Sequence, residues 1–209
     1  MELILIRHAE SNWNKTCRVQ GTRDPHLSEI GRRQGELIAQ RFNNERLDII
    51  YASPLKRAYQ TAEILAKKKN VRLILEERLK EINLGEWQGK TLKEINRRYG
   101  DMLNRWYEKP EDVNLPGGER LLEFKDRVVN VFTEIKRRYF SRRVVVVTHG
   151  GVISIYLVHL LGMNPNRVWR IALKNASISI IKFYGEVFNL ALFNDTCHLS
   201  RDISQQVIW

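Results

Sequence analysis

The chain has 209 residues, 43% of them hydrophobic and 28% charged, with a formal net charge of +11. That length suits one large domain with room for a core, and two cysteines, Cys17 and Cys197, exclude a disulfide framework or a paired-cysteine metal site. No apolar run reaches the ~18 residues of a membrane span and no basic-then-apolar leader opens the chain, so a cytoplasmic protein with reduced cysteines is expected.

In chain order, the apolar run Leu3–Ile6 predicts a first strand over Glu2–Arg7, ending at Arg7-His8. Ser28 caps a helix through about Phe42. A strand over Asp48–Ala52 follows, and Ser53-Pro54 reads as an N-cap with proline at the first helical position, opening a helix to about Lys69. Arg72–Glu76 is a third strand. Thr91–Glu94 is a capping box for a helical stretch to about Tyr107 that interrupts the strand-helix alternation and is expected to form a lid, segment 91–118. After the Pro116–Glu119 turn a long helix runs to about Tyr139. The strand Arg143–Thr148 ends at His149, and a very apolar helix spans Gly150–Leu161. Ala176–Phe183 and Glu186–Phe193, split by Tyr184-Gly185, read as a hairpin of antiparallel edge strands. The alternation predicts an α/β fold: three αβα layers on a mainly parallel sheet, in a single domain over 1–209.

The positive charge has two readings. Lys67–Lys69 and Lys136–Arg138 close predicted helices, where cations meet the negative dipole end; an anionic substrate steered to the surface is the other. No aromatic-interleaved basic stripe argues for nucleic acid as the partner.

His8 and His149 both follow predicted strands, where an open α/β sheet places its ligand crevice. A single strand-end histidine is ordinarily structural; here the neighbours change the reading. Ser11 and Asn14 can donate to an anion, Gln20-Gly21 offers an amide and a close backbone N–H, and Arg57 lies in the first turn of a helix. His149-Gly150-Gly151 starts another helix, whose N–H groups face the same volume. This is a tetrahedral-anion site in which a histidine can be a nucleophile.

The run Leu5–Asn14 resembles the signature of the histidine phosphatase, or phosphoglycerate mutase-like, superfamily. Ser53–Ala62, Leu79–Gly89, Pro116–Glu119, Val147–Gly151 and Asn194–Leu199 resemble its further motifs in order, so the likeness covers nearly the whole chain. The resemblance implies that His8 is the phosphorylated nucleophile, that Arg7, Arg57 and His149 hold the phosphoryl group, that Asn14, Gln20 and Gly21 belong to a substrate loop, and that Glu81 gives a proton to the leaving oxygen. It implies no metal and no cofactor, since arginines supply the positive charge. For these roles His8 must be neutral, with one ring N–H held by a carbonyl, and Glu81 must start protonated in a semi-buried setting. Glu76, Glu77 and Glu86 compete with Glu81 but do not fit the motif spacing. Trp87 is expected to anchor its turn and His159 to be structural, His26 is a loop residue and candidate substrate contact, and His198 is a candidate structural or rim residue near the site. The chain departs from the family pattern at Ala9, where glycine is commoner, at His26, and at Leu84, where phosphoserine phosphatases of the superfamily often have histidine.

Only 34 residues separate Glu81 from Pro116, which favours a phosphatase over a mutase carrying a longer insertion. The expected function is metal-independent hydrolysis of a small phosphorylated metabolite, phosphoserine or similar. A phosphoglycerate mutase, an α-ribazole phosphate phosphatase and a phosphate-binding module without turnover are the alternatives. The apolar hairpin leaves an edge that predicts a homodimer.

Overall fold

The unbroken apolar runs of the two central strands exist because both of their faces are covered. In a computed structural model, which describes residues 1–199, Leu3, Leu5, Val144 and Val146 pack into one core with Phe124, Val128, Phe132 and Ile153. Ile4, Ile6, Val145 and Val147 pack into a second with Ile38, Ala58, Ala62 and Leu65. The alternation of side chains along a strand thus feeds two cores across one sheet. The stretch 200–209 of the expected domain lies outside the described residues.

The elements are β1 (Glu2–Arg7), α1 (Asn12–Lys15), α2 (Glu29–Arg41), β2 (Ile49–Ala52), α3 (Lys56–Lys69), β3 (Leu73–Leu75), α4 (Leu92–Glu108), α5 (Leu121–Arg138), β4 (Arg143–Thr148), α6 (Gly150–Leu160), β5 (Ile178–Tyr184) and β6 (Val187–Asp195). The sheet order is β3-β2-β4-β1-β5-β6. β1 to β4 are parallel, while β5 runs antiparallel to β1 and β6 antiparallel to β5. α2 and α3 cover one face and α5 and α6 the other, which is the three-layer αβα arrangement. Arg7 pairs with Thr148 across β1 and β4, so His8 and His149 leave the sheet side by side.

Four expectations shift. α3 starts at Lys56 rather than at Ser53-Pro54, and its N-cap Leu55 has no side-chain cap. Ser53 is engaged elsewhere, and Asp24 takes the Lys56 N–H instead at 2.5 Å. β5 starts at Ile178 rather than Ala176, because Ala176 sits at φ +58 and donates its N–H to the His8 carbonyl. β5 is internal and only β6 forms that edge of the sheet. His159, expected to be structural, is exposed in the last turn of α6.

Candidate active site

The backbone at His8 is held from both sides. Its N–H donates to the Thr148 carbonyl at 2.8 Å, and its own carbonyl accepts from Asn175 Nδ2 at 3.0 Å and from the Ala176 N–H at 3.2 Å. The ring is almost fully buried. Nδ1 lies 2.7 Å from the Ala9 carbonyl, which can only accept, so Nδ1 carries the proton. Nε2 therefore presents a lone pair, and Arg57 Nε donates to it at 3.2 Å. Arg57, in the first turn of α3, is itself fixed by donating to the Gly21 and Arg23 carbonyls, each at 2.7 Å. Arg7 donates to the Leu173 carbonyl. The His149 ring stands edge-on to His8 with centroids 5.3 Å apart, and its Nε2 meets Ser53 Oγ at 2.8 Å.

Glu81 approaches from the opposite wall. Its carboxylate accepts the Gly151 N–H at 3.0 Å and the Ile82 N–H at 2.9 Å, placing it at the N-terminal end of α6. The segment that carries it is clamped by Arg127 from α5. That guanidinium donates to the carbonyls of Arg78 (2.8 Å), Lys80 (2.7 Å) and Glu81 (3.1 Å), and grips both carboxylate oxygens of Glu119 at 2.6 and 2.9 Å. Glu119 also accepts the Asn83 N–H, tying this segment to the Pro-Gly-Gly-Glu turn. Gly85 makes that approach close, at φ +50 and with the Pro116 carbonyl where a Cβ would stand.

Burial dominates the electrostatics. It pushes the Arg7 and Arg57 guanidinium groups down to about 10, with Glu81 opposing the shift. It holds His8 well below its ordinary 6.5, helped by Arg57 and then Arg7. His149 is lowered in the same way, by burial first and then by Arg57, His8 and Arg7. The result is two neutral imidazoles beside two interior cations, with a carboxylate facing them: a cavity suited to an anion.

That cavity, of about 120 Å³, is lined by Arg7, His8, Gln20, Gly21, Arg57, Glu81, Gly150 and Gly151 at its polar end. Of the residues expected here, His149, buried edge-on to His8, and Asn14 are not among those that line the cavity. Asn14 Oδ1 instead closes the Ser11 turn, accepting from Ser11 N and Oγ at 3.0 and 2.9 Å, and reaches the site through Asn175 at 3.4 Å. Trp87 is the buried anchor expected of it, edge-on to Trp106, and lines the cavity as well. His26 is exposed and faces Gln60. His198, half-buried, is lowered chiefly by that burial. The rival carboxylates lie elsewhere: Glu76 on Arg78, Glu77 on Lys80, Glu86 under the Tyr99 hydroxyl. Sequence reasoning missed Arg127, which looks like any surface-prone polar residue until the chain has folded, and it foresaw no contact between Asn175 and His8. Among the described residues, no three of His, Cys, Asp and Glu converge as metal ligands, and no helix is long and apolar enough to cross a membrane.

The profile of the histidine phosphatase superfamily (branch 1) matches residues 3–196. Phosphoserine phosphatase 1 of Hydrogenobacter thermophilus is 41% identical over 199 residues, covering 95% of this chain and 94% of that protein. A metal-independent phosphoserine phosphatase of Arabidopsis thaliana is 32% identical over 203 residues, covering 95% and 83%. A solved structure of a phosphoserine phosphatase mutant from Entamoeba histolytica, in complex with phosphoserine, is similar with a TM-score of 0.83 and 33% identity, covering 95% of this chain and 99% of that one.

Proposed function

This chain belongs to the histidine phosphatase superfamily, and on that basis we propose how it works as a metal-independent phosphomonoester hydrolase acting through a phosphohistidine on a small phosphorylated metabolite. Phosphoserine, named for the relatives, is the reference substrate.

His8 Nε2 attacks phosphorus while the P–O bond to the alcohol breaks. Glu81 acts as the general acid, and its carboxyl proton passes to the departing oxygen. Arg7, Arg57 and the Gly150 N–H neutralise the equatorial oxygens, with Gln20 and Gly21 on the loop side and His149 supporting beside His8. Asn14 acts through the loop it closes. Water then attacks the phosphohistidine, Glu81 takes its proton, and His8 is released neutral with inorganic phosphate. A single observation carries this reading: the Ala9 carbonyl fixes the proton on His8 Nδ1, leaving Nε2 as a lone pair aimed at the Arg57 guanidinium. Rapid denaturing quench at alkaline pH with phosphorus-labelled substrate tests it. An acid-labile phosphoryl group is expected on the wild type and none on His8→Ala; an active His8→Ala variant would refute nucleophilic catalysis, and phosphate binding without any turnover would make the protein a binding module.

Segment 91–118 serves as a lid, because Leu92, Leu103, Trp106 and Tyr107 from it line the cavity. The β6 edge, with Val187 and Phe193 exposed, supports a homodimer, to be read by light scattering. Two exposed free cysteines support a cytoplasmic location, testable by cell fractionation.

A further inference from the structure

The cavity changes character away from the phosphoryl end. Leu84, Trp87, Leu103, Trp106, Trp169 and Leu173 are among the side chains that line the remainder. Trp106 stands between the other two indoles, with centroids 5.9 Å from Trp87 and 5.4 Å from Trp169. Tyr107 and Ser154 bring hydroxyl groups, but among the described residues no lysine, arginine, aspartate or glutamate lines the cavity apart from Arg7, Arg57 and Glu81. All three have tasks at the phosphoryl end: the guanidinium groups face the anion, and the Glu81 carboxylate is bonded to the N–H groups of Ile82 and Gly151.

A leaving group with an ammonium and a carboxylate would therefore be desolvated against this wall without a counter-charge, which is costly. An apolar leaving group would remove the same wall from water at a gain.

We infer that the leaving-group half of this cavity is an apolar subsite, and that the preferred substrates are phosphate monoesters of apolar alkyl or aryl alcohols, with phosphoserine turned over less well. This inference rests on the phosphatase reading for its word "substrate", but the subsite itself can be tested without turnover. Straight-chain alkylphosphonates, methyl through hexyl, cannot be hydrolysed and differ only in apolar length. Calorimetric Kd values on the whole protein should fall roughly three- to fourfold per added methylene until the wall is filled. The phosphonate analogue of phosphoserine should bind more weakly than propylphosphonate, which matches its length. Leu84 is half-buried, so Leu84→Arg introduces a cation at the wall that the fold can accommodate; it should flatten the chain-length series and narrow the gap to the amino-acid analogue. A flat series in the wild type, tightest binding by the amino-acid analogue, or an unchanged series in Leu84→Arg would overturn the inference. A second arm measures kcat/KM on the matching alkyl phosphates, whose leaving oxygens are of similar basicity. Length-dependent binding with no hydrolysis of any ester would defeat the phosphatase reading while leaving the subsite in place; hydrolysis without length dependence in either assay would do the reverse.

Discussion

Adding one methyl group at Gly151 should separate the proton donor from the reacting bond. A Cβ built there falls 2.4 Å from Glu81 Oε1 and 3.1 Å from its carboxyl carbon. Ordinary carbon-oxygen contact needs about 1 Å more, so the carboxyl group must retreat by that amount and give up its bond from the Gly151 N–H. A misplacement of about 1 Å costs on the order of 10²-fold, or about 2.7 kcal/mol of barrier. Gly151 lies in the first turn of α6 at ordinary helical φ, so alanine suits the backbone and the fold should be as stable or slightly more so. The assay is kcat/KM for an alkyl and an aryl phosphate. Gly151→Ala should lose about 10²-fold on the alkyl ester, whose alkoxide needs the proton, and clearly less on the aryl ester, whose phenolate leaves unaided. The double variant with Glu81→Gln should be little worse than Glu81→Gln alone, because both changes remove one function. Gly150→Ala is the geometric contrast: its Cβ comes no nearer than 3.5 Å to Arg7, so a much smaller loss is expected. Equal losses on the two esters, or additive losses in the double variant, would refute Glu81 as the acid.

Three further outcomes are expected. Arg127→Met should release the carbonyls of Arg78, Lys80 and Glu81 and reproduce the alkyl-over-aryl loss, about tenfold or more on kcat/KM of the alkyl ester, whereas a merely structural role would lower both esters alike; kcat/KM on the two esters decides. His8 and His149 stay neutral in the fold but take up protons in the unfolded chain below about pH 6.5, so stability is full above that pH and falls as pH drops, by about 1.4 kcal/mol per pH unit for each ring until its folded value is reached. Denaturant titrations at about pH 7.5 and about pH 5.5 would show it, while kcat/KM, corrected for ionisation of the substrate, should not lose its nucleophile near 6.5; pH-independent stability would contradict neutral burial. Finally, dialysis against chelator should leave turnover intact, since Arg7 and Arg57 carry the charge balance, and a loss restored by magnesium or zinc would overturn metal independence.

What was legible in the chain is what local pattern encodes. β1 and β4 announce themselves as apolar runs, and the polar residues that follow them, Arg7-His8 and His149, had to lie at the crevice. The capping box at Thr91 and the Ser28 cap are also local, and both form as read. The start of α3 was misread because its true cap, Asp24, lies 32 residues upstream in sequence. The Asn14 side chain faces the Ser11 turn for a similar reason: in the capping geometry of a four-residue helix its Oδ1 accepts from Ser11 N and Oγ. Arg127 could not be read at all, since it acts on the backbone carbonyls of Arg78, Lys80 and Glu81, which carry no residue-specific signal, and the bond from Asn175 to the His8 carbonyl is hidden in the same way.

The bonds at the His8 backbone also set an order of assembly. Its N–H waits for Thr148, and its carbonyl for Asn175 and Ala176, the former 167 positions away. His8 is therefore made well before the residues that hold its backbone, Thr148, Asn175 and Ala176. β1 is held between β4 and β5, so the reactive ring is tethered by the last part of the sheet to be synthesised. Such long-range closure is slow to form. Its consequence is that chains ending before Asn175 carry the signature residues without the bonds that hold the His8 carbonyl.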